Sequence, residues 1–165
     1  DLPAESARAN AVIVTKCPDV ISHVDRQMIS ETLHLASNQQ LYFSRIAYNP
    51  LQIDSTPLLI TGIANPQLLL AHVQQRFPNT ELLAFPDHHD FTDKDILTIL
   101  DKAAKYDYVV TTEKDYMRMK STCLIDALTG KLQVLPIKTD LGDDHEAFDL
   151  QIRSYLTECQ RQGHV

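Results

Sequence analysis

Asp87-His88-His89-Asp90 concentrates the side chains best suited to proton chemistry in this sequence. An imidazole changes charge near neutral pH, so it can carry or polarise a proton. A neighbouring carboxylate can fix the ring or favour its charged form. Three other stretches carry groups that can meet a phosphate, another anion or a base. In Thr111-Thr112-Glu113-Lys114-Asp115 an ammonium is presented where a phosphate could be met. In Thr61-Gly62-Ile63-Ala64-Asn65-Pro66 one glycine permits close backbone approach, and the helix start that follows attracts anions. Thr15-Lys16-Cys17-Pro18-Asp19 places a lysine at a strand end, where P-loop nucleotidases carry a lysine over the base. Here Thr precedes the Lys in place of Asn, and the Asp stands one position late.

Each stretch has a plainer reading that remains open. The two histidines can be solvated loop residues, with Asp90 a turn former. Four successive residues cannot all aim at one ion, so a metal site would need a second ligand cluster, and none is apparent. Glu113 and Asp115 suit a first helical turn for the dipole alone. Lys16 can sit in water with Asp19 capping a helix. The glycine turn can be a structural βα connection, and no Lys-Ser/Thr pair follows it to make a phosphate-cradling loop.

The elements that must position these residues follow from the apolar pattern. Continuous apolar runs at 11–14, 57–62, 80–85, 108–111 and 132–135 read as buried strands, with 41–46 a strand or extended segment. Between them, helical spacing joins Ile21, Val24, Met28 and Leu35, then Leu69 and Val73, then Ile96, Leu100 and Ala103. Asp19 or Ser22 can cap the first of these helices. Asn65-Pro66 starts the second, with Asn at the cap and Pro at the first helical position, and Thr92 with Asp95 marks the third. A short helix follows through Tyr116 to Met119, and a last one carries Phe148, Ile152, Tyr155 and Cys159 on one face. Asp140 to Glu146 reads as a solvated acidic loop. Strands alternating with helices predict an α/β fold, three layers with a mostly parallel sheet, in which ligands bind beyond the carboxyl ends of the strands. Every stretch singled out above sits at such a strand end.

The chain has 165 residues, 44% hydrophobic and 22% charged, as one ordinary globular domain would. Its formal charge of −7 argues against a nucleic-acid partner or a polybasic membrane patch. Cys17, Cys123 and Cys159 lie too far apart in sequence for a CxxC pair and read as free thiols. No apolar run reaches the roughly 20 residues of a spanning helix. The chain opens on Asp1, not Met, which leads to the expectation of a processed or excised piece.

Taken in order, Arg8-Ala9-Asn10, Thr15-Lys16-Cys17-Pro18, Thr61-Gly62-Ile63-Ala64-Asn65-Pro66, Phe85-Pro86-Asp87-His88-His89 and Thr111-Thr112-Glu113-Lys114-Asp115 resemble the C-terminal half of the tetraacyldisaccharide 4'-kinases. The resemblance implies an ATP- and Mg-dependent transfer of the γ-phosphoryl group to the 4'-hydroxyl of a tetraacyldisaccharide 1-phosphate. That reaction belongs to lipid A biosynthesis at the cytoplasmic face of the inner membrane. It implies a P-loop-like half without the P-loop: residues 1–10 a lead-in, 11–160 a C-terminal domain, and a missing N-terminal domain in cis holding most of the ATP and Mg contacts. By position, His88 and Asp87 take the catalytic place. Thr15, Lys16, Gly62, Glu113, Lys114 and Asp115 face the nucleotide, and no metal ligand is assigned. A chain without the phosphate-binding loop should be inactive alone, since phosphoryl transfer depends on positioning and electrostatics. A metal-dependent phosphoesterase built on Asp87-His88-His89, or a non-catalytic scaffold domain, stands as the alternative.

Overall fold

In the computed structural model, which describes residues 8–161, the chain divides into two compact units. One is Tyr48–Ile137, and the other is Asp1–Ala47 together with Lys138–Val165. Residues 1–7 of the expected lead-in fall outside the described residues.

The Tyr48–Ile137 unit is built on four parallel strands: β4 (Leu58–Thr61), β5 (Glu81–Ala84), β6 (Val109–Thr112) and β7 (Leu132–Leu135). Their spatial order is β5-β4-β6-β7. Leu58 pairs with Glu81 on one side and Val109 on the other, and Val109 pairs with Leu132. All four residues of β4 and of β6 are buried, as central strands covered on both faces must be.

Alternation along the strands separates two cores. Leu58, Ile60 and Val109 pack with Ile96, Ile99 and Ala103 of α3 (Asp93–Ala103), and with Met119, Leu124 and Leu128. Leu59, Val110 and Leu135 pack with Leu69 and Val73 of α2 (Gln67–Arg76), and with Ile53 and Phe77. Helices therefore cover both faces, giving the three-layer α/β fold that the sequence predicts. A fully buried leucine such as Leu59 stabilises this arrangement by about 1.5–3 kcal/mol.

Two helix starts matter for the site. Thr92 caps α3 in a full capping box with Asp95. Thr112 caps α4 (Glu113–Met119) by accepting from the Asp115 N–H. The start of α2 falls one residue later than expected. Pro66 takes the cap position, and Asn65 Oδ1 accepts from the N–H of Gln67 at 3.2 Å. A four-residue helix, α5 (Leu124–Ala127), was not legible in sequence.

The other unit pairs β1 (Ala11–Val14) in parallel with β2 (Gln40–Phe43). Between them runs α1 (His23–Leu33), capped by Ser22 and ended by His34 in the left-handed conformation at φ 50°. β3 (Arg45–Tyr48) pairs with β8 (Ile137–Asp140), a strand the sequence pattern did not show. A short 3-10 turn (Gly142–Asp144) leads into α6 (His145–Arg161).

Two expectations change in this unit. The acidic run from Asp140 is not a solvated loop. Asp140 pairs with Arg45 at 2.7 Å, and Asp144 accepts from Arg26 at 3.0 Å and from the N–H of Phe43 at 2.8 Å. The apolar residues expected to face inward on α1 and α6 are also largely exposed: Val24, Met28, Ile152 and Tyr155 all remain open. The strands here form two separate two-stranded pairs, too little continuous sheet to cover two helices.

Candidate functional site

At the carboxyl ends of β4, β5 and β6, one polar cluster gathers residues from three separated stretches. Its deepest member is Asp115, 0% exposed. A carboxylate buried this completely must have every lone pair answered. Thr61 Oγ1 and Thr112 Oγ1 each donate to Asp115 Oδ2 at 2.8 Å, and Arg118 Nη1 reaches Oδ1 at 3.3 Å. The same Nη1 donates to the carbonyl of Gly62 at 3.2 Å. Arg118 Nη2 then meets Nδ1 of His88 at 3.1 Å.

His88 follows β5 and stands at the open edge, its side chain 75% exposed. Its backbone lies in the left-handed region at φ 59°, sparsely populated for a residue other than glycine. Asp87 supports that turn, with Oδ1 accepting from the N–H of His88 at 3.0 Å. Lys114 Nζ donates to the same Oδ1 at 3.0 Å, and Asp87 Oδ2 lies 3.6 Å from His88 Nε2. The lysine's hydrogen bond is the main reason that the Asp87 carboxyl sits below the usual carboxylate range, and the N–H of His88 lowers it further.

Gly62 is held for space. A Cβ there would come within 3.0 Å of the Pro86 carbonyl and 3.3 Å of Asp115 Oδ1. The loop bearing Asp87 and His88 passes directly over this glycine, so the position sets how low that loop can lie.

The Asp87-His88-His89 triplet does not converge on one point. His89 Nε2 bonds Asp95 Oδ2 at 2.9 Å, and its ring stacks on Phe85 at 5.1 Å and meets Phe91 edge-on. His88 turns to Arg118 instead. Among the described residues no three His, Cys, Asp or Glu side chains form a group able to hold a metal ion. The cluster therefore does not fit a metal by itself. Nor does it form a free phosphate cradle, because Lys114 and Arg118 each already answer a carboxylate.

The structure thus brings together Asp87, His88, Gly62, Lys114 and Asp115. Glu113 is exposed at the start of α4. Thr15 and Lys16 belong to the other unit, exposed just past β1, with Lys16 left-handed at φ 59°. Beside them lies a groove of about 540 Å³ whose wall begins at Cys17 and includes Phe43, Ser44 and Arg45; Thr15 and Lys16 do not line it. The Ser44 hydroxyl is buried there with no hydrogen-bond partner among the described residues. Arg118 escaped sequence reasoning. Its one local signal is the three-residue spacing from Asp115, which places both on the same side of a helix.

A doubly covered parallel sheet with a buried carboxylate and a poised histidine at its carboxyl edge defines an α/β protein whose site lies where such folds handle ligands. The chain belongs to the tetraacyldisaccharide-1-P 4'-kinase family, whose model matches residues 1–157. It is 36% identical over 163 residues to the tetraacyldisaccharide 4'-kinase of Flavobacterium johnsoniae, covering 92% of this chain and 46% of that protein. It is 34% identical over 180 residues to the enzyme of that name from Bacteroides fragilis (strain ATCC 25285), covering 94% and 48%. To that of Porphyromonas gingivalis (strain ATCC BAA-308 / W83) it is 34% identical over 158 residues, covering 84% and 44%. The chain spans about half the length of the curated relatives it matches.

Proposed function

We propose that this chain is the histidine-bearing half of an ATP-dependent kinase that phosphorylates the 4'-hydroxyl of a tetraacyldisaccharide 1-phosphate in lipid A biosynthesis. The observation that carries the reading is the placement of His88. It stands open at the carboxyl edge of a parallel sheet, with Nδ1 held by Arg118, in a chain of this kinase family. ATP supplies the γ-phosphoryl group, and the remaining half of the kinase, in cis, would hold most of the contacts to ATP and Mg. Phosphoryl transfer asks chiefly for positioning and electrostatic support.

In this reading His88 contacts the reacting groups, and Asp87 holds the turn that aims it. Lys114 holds Asp87 in place by donating to its Oδ1. Gly62 and Asp115 act from below, one by admitting the loop and the other by anchoring Arg118. Glu113 is an exposed strand-end contact for nucleotide. In the other unit, Thr15 and Lys16 are the nucleotide contacts, by their exposed place just past β1. Among the described residues no helix is long and apolar enough to cross a membrane. Work at the cytoplasmic face of the inner membrane is part of the proposal.

The test is ATP-dependent phosphorylation of the lipid disaccharide by a full-length kinase containing this chain. The chain alone should transfer no phosphoryl group. His88→Ala in the full-length kinase should lower kcat by about 100-fold, the smaller end of what a preorganised hydrogen-bond donor to developing charge contributes. An undiminished kcat would remove His88 from the reaction.

A further inference from the structure

We propose that Arg118 is a positioning residue for His88. It locks the imidazole in the tautomer that carries its proton on Nε2, so that His88 acts as a hydrogen-bond donor to an anionic oxygen and not as a base. Its consequence for catalysis rests on the kinase reading above; the tautomer follows from geometry alone.

A guanidinium has only donors. With Arg118 Nη2 at 3.1 Å from His88 Nδ1, the ring nitrogen must accept. A neutral imidazole then has its one proton on Nε2. That atom lies 3.6 Å from Asp87 Oδ2, too long for a hydrogen bond, so the Nε2–H edge stays open to an incoming acceptor.

The guanidinium cannot readily swing away to release Nδ1. Its Nη1 is tied to the Gly62 carbonyl and to Asp115. Asp115 is in turn fixed by the hydroxyls of Thr61 and Thr112 at the ends of β4 and β6. The ring is thus connected to the sheet core through three layers of side chains. From the other side, the left-handed turn at His88 is pinned by Asp87, and Asp87 by Lys114. A backbone in a sparsely populated region persists only where its surroundings over-determine it, and such positions gather at functional sites. Both restraints act on the one exposed ring of the cluster.

An Nε2–H held this way suits a phosphoryl or carboxylate oxygen, to which it can donate without giving up its proton. The reading is testable without catalysis. Ring-nitrogen spectra of the full chain, recorded with the imidazole neutral, should show His88 protonated on Nε2. Arg118→Met should release the preference and give both tautomers. Arg118→Lys, which keeps a donor, should restore much of it. A wild-type ring protonated on Nδ1, or an Arg118→Met spectrum identical to wild type, would overturn the proposal. Should Arg118→Met fail to fold, the wild-type and Arg118→Lys spectra still decide.

In the full-length kinase, Arg118→Met should lower kcat by about 100-fold, as misplacement of a reacting group does, with KM for ATP and lipid little changed. If His88→Ala leaves kcat intact, the kinase role of His88 fails while the tautomer stands or falls on the spectra. If Arg118→Met lowers kcat but leaves the ring on Nε2, the positioning role is overturned.

Discussion

Asp115 and Arg118 lie three residues apart on α4, and their 3.3 Å contact joins a fully buried carboxylate to a guanidinium that reaches the surface. The pair links the sheet core to the His88 ring. Breaking a buried pair leaves an uncompensated charge, which costs roughly 3–5 kcal/mol. Asp115→Asn also turns an amide toward the Thr61 or Thr112 hydroxyl, or toward the guanidinium. With Arg118 partly exposed, the lower end applies, and urea unfolding of Asp115→Asn should show a loss of about 3 kcal/mol. A midpoint equal to wild type would mean that the pair is not structural.

Gly62 bears on the same cluster from below. Alanine there meets the Pro86 carbonyl at 3.0 Å, backbone against side chain, with little room to yield. Overpacking of this kind costs about 1–3 kcal/mol. Gly62→Ala should therefore lower the unfolding midpoint and move the amide resonances of residues 87–89 more than those of α2. Shifts confined to residue 62 and its immediate neighbours would show that the loop does not rest on this glycine.

Lys114 lowers the Asp87 carboxyl by donating to it. In wild type the Asp87 carboxyl should titrate below the ordinary value of 3.8, and in Lys114→Met it should move up toward that value. Carboxyl-carbon resonances followed against pH measure both. Because the folded value is depressed, any stabilising effect is present above the ordinary value and fades as pH falls through the folded one. Solvent screens this exposed pair, so the titration will move more visibly than the unfolding midpoint.

The sheet was legible because its central strands are buried on both faces. Leu58-Leu59-Ile60-Thr61 carries an unbroken apolar run, with no alternation to confuse it with a half-exposed strand. The Thr92–Asp95 capping box was readable from spacing alone. β8, with only Ile137, Lys138, Thr139 and Asp140, has neither alternation nor a β-branched run long enough to register. The outward faces of α1 and α6 were misread because periodicity reports amphipathicity but not what covers it. In the site, local sequence exposed His88 and Asp87, which share a loop. It could not expose the Arg118 contacts, which exist only once the sheet brings residues 62, 88 and 118 together.

Asp95 makes the loop after β5 sensitive to acid. Its carboxylate accepts from the Thr92 hydroxyl and N–H and from His89, and these bonds lower it from 3.8 to about 2, the Thr92 hydroxyl contributing most. One carboxylate thus closes the cap of α3 and pins His89 against Phe85 and Phe91, next to His88. A depressed folded value means that the contribution is complete above 3.8 and is lost as pH falls toward about 2. Wild type and Asp95→Asn should show their full difference in urea midpoint above 3.8 and converge as the pH falls toward about 2. Amide exchange at residues 88–92 should be faster in the variant over the same range. A midpoint difference that stays constant down to the lowest pH would show that the ionised carboxylate is not what holds this loop.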